Sequence, residues 1–119
     1  MLRIVSLNLN GIRSATSKGV LEWLRHQHAD VICLQELKAQ TADMTAEMLN
    51  PHGYYGYFHY AEKKGYSGVG IYAKRQPDRV IEGLGIAEID ADGRYIEAQF
   101  GNLSVISLYL PSGSSGEHR

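Results

Sequence analysis

A single cysteine, Cys33, leaves the chain with no internal disulfide, and its place in the apolar run Val31 to Leu34 marks a buried thiol in a reducing compartment. Excess positive charge is missing too. Twelve Lys and Arg stand against 13 Asp and Glu, so no global potential draws the chain to a phosphate backbone and any nucleic-acid contact must be local. Nor is there a long hydrophobic run. From Met1 to Asn10 one basic residue and an apolar stretch broken by Ser6, Asn8 and Asn10 fit neither a signal peptide nor a membrane span. Repeats and linkers are absent as well, which leaves a cytoplasmic globular protein as the expectation. What is present agrees: 44% hydrophobic and 21% charged residues suit a folded domain, and 119 residues suffice for one small core.

Leu2 to Leu9 is rich in β-branched and aliphatic residues and stops at Asn10-Gly11, a pair that readily takes positive φ, so it reads as a strand. From Ser17, an N-cap candidate, to His28, the residues Val20, Leu21, Trp23 and Leu24 share one helical face with Glu22, Arg25 and Gln27 opposite. Val31 to Gln35 is a continuous apolar run, as expected of a strand covered on both faces. Strands joined by a crossover helix run parallel, so Asn8 and Glu36 should reach one sheet edge, the edge at which open α/β sheets bind ligands. Downstream, a short helix over Thr41 to Leu49 ends at Asn50-Pro51. Tyr54 to Tyr60, Val69 to Lys74, Tyr95 to Phe100 and Leu103 to Leu110 then read as strands, with tight turns at Ala91-Asp92-Gly93 and Gly101-Asn102 that predict an antiparallel meander. One face of these later strands is too apolar for water, which predicts a further layer, from missing sequence or from a tight partner.

Asn8 and Glu36 together supply an amide oxygen and a carboxylate, hard ligands suited to Mg²⁺ that keeps several of its waters, and the matching chemistry is phosphoryl transfer. Taken alone, the pair is explained more simply by a turn residue and a solvated acid. The surrounding text shifts the balance. Ser6-Leu7-Asn8-Leu9-Asn10-Gly11-Ile12-Arg13 and Cys33-Leu34-Gln35-Glu36-Leu37-Lys38 closely resemble two motifs of the exonuclease III and abasic-site endonuclease family. Gly65-Tyr66-Ser67-Gly68-Val69-Gly70-Ile71, Gly93-Arg94-Tyr95-Ile96-Glu97 and Ser107-Leu108-Tyr109-Leu110-Pro111 resemble three more, in family order and over nearly the whole chain.

That resemblance implies an α/β fold in which residues 1–119 form the N-terminal half of one endonuclease/exonuclease/phosphatase domain. The expected architecture is half of a four-layer α/β sandwich: one mixed β-sheet with helices on its outer face, the second sheet and its helices being missing. It also implies that Asn8 and Glu36 belong to a Mg²⁺ site, with Mn²⁺ as the alternative ion and Asn10 in support, and that Tyr109 positions the scissile phosphate. Without the family, Tyr109 would read as a half-buried strand aromatic. Arg13, Gly65, Tyr66 and Arg94 are the implied DNA contacts, and the implied partner is duplex DNA with abasic sites or 3′ ends, bound by a full-length monomer with no membrane attachment. The aromatic and basic stretch from Tyr54 to Tyr66 fits stacking on DNA, although strand alternation buries part of it and leaves the loop Lys63 to Tyr66 as the contact.

His26-Gln27-His28-Ala29-Asp30 has the outline of a metallohydrolase motif, but its position at a helix end favours a surface role facing the negative end of the dipole. The glycines of Gly65 to Gly70 precede a strand and lack a following Lys-Ser or Lys-Thr, so no nucleotide-binding loop is supported. The family's later Asp-x-Asn motif and its Asp-His pair do not occur here, and neither Asp90-Ala91-Asp92 nor His118 replaces them. The catalytic inventory is therefore incomplete, and residues 1–119 alone are expected to turn over negligibly. Two other readings remain: a phosphodiesterase or phosphatase of the same superfamily acting on another substrate, and a non-catalytic half-domain used for binding.

Overall fold

In the computed structural model, which describes residues 2–110, β1 (Ile4–Asn8) and β2 (Val31–Gln35) run parallel, with Ile4 opposite Val31 and Asn8 opposite Gln35. Pro111 and His118 lie outside the described residues. The crossover holds two helices, α1 (Ile12–Ser17) and α2 (Val20–Arg25), where the sequence pattern predicts one from Ser17 to His28. Gly19 accounts for the difference: its φ of 92° interrupts the helical run, and Ser17 ends α1 with its hydroxyl donating to the Ser14 carbonyl. The expected helix from Thr41 to Leu49 likewise divides, into a 3₁₀ turn (Thr41–Asp43) and α3 (Ala46–Leu49), whose start is capped by Thr45 accepting the Met48 N–H at 3.2 Å.

The next strands, β3 (Tyr55–His59) and β4 (Val69–Ala73), pair antiparallel, and β4 also pairs antiparallel with β2, giving the order β1-β2-β4-β3. All of β4 is buried, because it is central in the sheet and covered on both faces. Gly70 makes room there: a Cβ at this position would lie 2.7 Å from Cδ1 of Phe58 on β3. On one face, Ile32, Leu34 and Tyr72 pack with Ile12, Leu21 and Leu24 of the helical layer. Tyr72 and Tyr54 keep their hydroxyls satisfied by donating to the Met48 and Ala29 carbonyls.

Val31, Cys33, Val69, Ile71 and Ala73 point the other way and are just as apolar, so this face needs its own cover. It is supplied by β5 (Arg79–Glu82), β6 (Tyr95–Phe100) and β7 (Leu103–Leu108), an antiparallel meander whose Ile96, Ala98, Phe100 and Val105 close a second core. The expectation of one mixed sheet, with the second sheet missing, is corrected on this point: the mixed sheet and its outer helices are there, and three strands of a second sheet lie within the described residues. Cys33 sits between the sheets, and burial pushes its thiol up to about 11, as befits a structural rather than a reactive sulfur. The sequence pattern predicts neither β5 nor α4 (Ala87–Asp90), each of four residues and too short for periodicity to register. Ile4 on the edge strand β1 is exposed, as are Ile106 and Leu108, which alternate with the buried Val105 and Ser107 of β7 and so face outward from the second sheet.

Candidate active site

Parallel pairing continues past the ends of β1 and β2: the Leu9, Gly11 and Ile12 amides donate to the carbonyls of Gln35, Glu36 and Leu37. Both strand exits are therefore locked to each other, and their side chains converge. Asn8 Nδ2 donates to Glu36 Oε2 at 2.5 Å, while Asn8 Oδ1 accepts the Asn10 backbone N–H at 2.9 Å. Reversing the amide would set its oxygen against a carboxylate and its NH₂ against an N–H, so these partners fix the orientation of Asn8. Lys38 Nζ donates to Asn10 Oδ1 at 2.6 Å and stands 3.9 Å from Glu36 Oε1. Asn10, Glu36 and Lys38 have φ of 48°, 52° and 50°, left-handed values that non-glycine residues adopt rarely and that cluster at functional sites.

Beside Glu36 opens a cleft of about 810 Å³ whose walls include Lys38, Lys63, Tyr66, Arg94 and Tyr109. Ser107, fully buried, explains how β7 reaches it: its hydroxyl donates to the Leu34 carbonyl at 2.8 Å and receives Gln35 Nε2 at 3.3 Å, which pins β7 across the end of β2. Two residues on, Tyr109 is half-buried, and its N–H donates to the Arg94 carbonyl at 2.9 Å. Arg94 sits in place because Gly93 lets its turn approach the exit of β3: a Cβ there would lie 2.6 Å from the His59 carbonyl oxygen and the Ala61 nitrogen. The Arg94 guanidinium pairs with Asp92 at 2.6 Å, and its buried Nε has no hydrogen-bond partner among the described residues. At the cleft wall, Tyr66 is 54% exposed with Lys63 Nζ 4.3 Å from its ring centroid.

The structure thus brings Glu36, Gly65, Tyr66, Arg94 and Tyr109 to one cleft; Asn8 is hydrogen-bonded to Glu36 and Asn10 to Asn8 and Lys38, although neither asparagine lines it. Arg13 stands further out. It braces the site by donating to the Lys38 carbonyl at 3.1 Å and pairs with Asp43 at 3.5 Å while remaining exposed. His26 donates from Nδ1 to the Glu22 carbonyl of its own helix, 2.9 Å away, in keeping with a helix-end role. Lys38, Lys63 and Ser107 join the site although the sequence reading does not single them out individually. Lys38 carries a faint signal, lying two residues beyond Glu36, while Ser107 shows only as a hydroxyl amid the apolar alternation of β7.

Among the described residues no three His, Cys, Asp or Glu side chains are grouped to hold a metal ion. Glu36 is a lone carboxylate bordered by amides. That set fits part of a Mg²⁺ site, since this ion is commonly held by one or two carboxylates, waters and substrate phosphate. Asn8 orients Glu36 by donating to it, and its amide oxygen, which accepts one backbone N–H, keeps a second lone pair for an ion.

The profile of the Endonuclease/Exonuclease/phosphatase family matches residues 5–118. An exodeoxyribonuclease of Bacillus subtilis (strain 168) is 40% identical over 119 residues, covering 99% of this chain and 46% of that protein. A DNA-(apurinic or apyrimidinic site) endonuclease of Dictyostelium discoideum is 34% identical over 99% of this chain and 33% of its own length. Among solved structures, an AP endonuclease from Archaeoglobus fulgidus superposes with a TM-score of 0.80 at 33% identity, covering 95% of this chain and 42% of that one. The chain spans less than half the length of these relatives.

Proposed function

Because the chain belongs to the Endonuclease/Exonuclease/phosphatase family, we propose that it forms the N-terminal part of a Mg²⁺-dependent DNA phosphodiesterase of the exonuclease III and abasic-site endonuclease type, acting in base excision repair. The observation that carries this reading is the hydrogen bond from Asn8 to Glu36, the carboxylate that lines a cleft together with Tyr109 and Arg94. Glu36 holds the cation, and Asn8 fixes the carboxylate by donating to one of its oxygens. A bound Mg²⁺ would supply charge stabilisation to a phosphate and its leaving oxygen. The Tyr109 hydroxyl orients the scissile phosphate. Arg94, Lys63 and the exposed Tyr66 ring grip the flanking strand by charge and stacking, which places DNA contact in local features rather than in the net charge of −1. The substrate is duplex DNA, cut on the 5′ side of abasic sites or trimmed from 3′ ends.

Supporting the DNA reading are relatives named as exodeoxyribonuclease and as apurinic or apyrimidinic site endonuclease. Its test is an abasic-duplex cleavage assay on the full-length protein. Cleavage should require Mg²⁺, stop with a chelator, and fall roughly 10²-fold or more in Glu36→Ala. Residues 1–119 in the same assay should give no turnover above background. Undiminished cleavage by Glu36→Ala would remove the metal assignment.

A further inference from the structure

We propose that Lys38 is a positioning residue that acts as the built-in counter-cation of Glu36 and so sets how tightly the site takes a divalent ion. The inference rests on Glu36 being the cation's carboxylate. Lys38 Nζ reaches both sides of the cluster, at 2.6 Å from Asn10 Oδ1 and 3.9 Å from Glu36 Oε1. The other cations of the cleft stand away from Glu36 in this structure, Arg94 against Asp92 and Lys63 over the ring of Tyr66.

The backbone under Lys38 is held from both directions. Its N–H donates to the Ser67 carbonyl at 2.8 Å, its carbonyl accepts from Arg13 Nη2 at 3.1 Å, and its φ is 50°. A residue held at such a φ by surrounding bonds cannot drift, so only the four-carbon stem can turn. The Lys38 side chain is 39% exposed against 21% for Glu36. An ion pair this open is weak and easily exchanged, so the ammonium can release Glu36 to a competing cation and turn to the phosphate that arrives with it. Attraction between Lys38 and Glu36 is lost when the divalent ion binds. Lys38 therefore opposes metal binding while keeping the metal-free carboxylate neutralised and in position.

The sign of this effect separates it from a merely structural role. Mg²⁺ binding to the full-length protein without DNA would be measured by isothermal titration calorimetry in four forms: wild type, Lys38→Met, Lys38→Arg and Glu36→Gln. Lys38→Met should lower the Mg²⁺ dissociation constant roughly two- to fivefold, and Lys38→Arg, which keeps the charge, should stay near wild type. Unchanged or weaker Mg²⁺ binding in Lys38→Met, with circular dichroism showing a folded protein, would overturn the proposal, and if that variant fails to fold, an affinity in Lys38→Arg more than tenfold from wild type would do the same. Wild-type binding undiminished in Glu36→Gln, or absent altogether, would instead refute the reading of Glu36 on which the proposal rests.

Discussion

Asn8 carries no charge, yet it connects the two strand exits on which the site depends. Its amide NH₂ donates to Glu36 and its oxygen accepts from the Asn10 backbone, contacts suited to orienting the carboxylate. Outer partners of this kind typically contribute 10- to 100-fold to metal affinity or activity. Asn8→Ala in the full-length protein should therefore raise the Mg²⁺ concentration needed for half-maximal cleavage by roughly 10-fold or more, with little change in far-UV circular dichroism. A variant with unaltered Mg²⁺ dependence would show that Glu36 needs no such support.

At the scale of the element, the turn before β6 joins stability to the site. Gly93 has a φ of 59°, and any Cβ there meets backbone atoms of His59 and Ala61 rather than a side chain that could swing away. Gly93→Ala must separate the turn from the end of β3 and move Arg94 with it. The expected destabilisation is about 2 kcal/mol or more, read as a lower urea midpoint, together with weaker binding of duplex DNA in the absence of Mg²⁺. A substitution as well tolerated as one on the open surface would mean that the turn can shift freely. The helical crossover teaches a related lesson, since one left-handed glycine divides a periodic segment that reads as continuous.

For the molecule as a whole, the tyrosines set the response to alkali. Burial raises the phenols of Tyr54, Tyr57, Tyr60 and Tyr72 above their ordinary value of 10.0, and Tyr95 is pushed up to about 12, first by its hydrogen bond to Glu97 and then by burial. The folded state holds these protons more tightly than the unfolded chain. Their stabilisation is thus complete below pH 10 and is lost as pH rises towards about 12. Glu97 has the opposite sign: hydrogen bonds from Gln99 and then Tyr95 lower its carboxyl, and that contribution is lost as pH falls through its depressed value. Denaturation midpoints of the full-length protein should decline between pH 10 and pH 12, with a smaller decline in Tyr95→Phe; a flat profile would contradict the assigned burial of these rings.

The sequence by itself determined the β-α-β opening, the placement of Asn8 and Glu36 at one edge and the family motifs, because periodicity and short-range turn chemistry act within a few residues. It also showed the antiparallel pairing of β6 with β7, but the single meander expected of the later strands is divided: β3 and β4 join the first sheet, and the unpredicted β5 pairs with β6 in the second. Tertiary structure decided what depends on two distant segments meeting: that the meander folds over β2 and β4 as a second sheet, and that Ser107 pins Tyr109 beside Glu36. It also decided that Lys38 spans Asn10 and Glu36. Strand alternation states that a residue has a covered face but not which segment covers it, and hydrogen bonds between residues about 30 or 70 positions apart leave no local pattern to read.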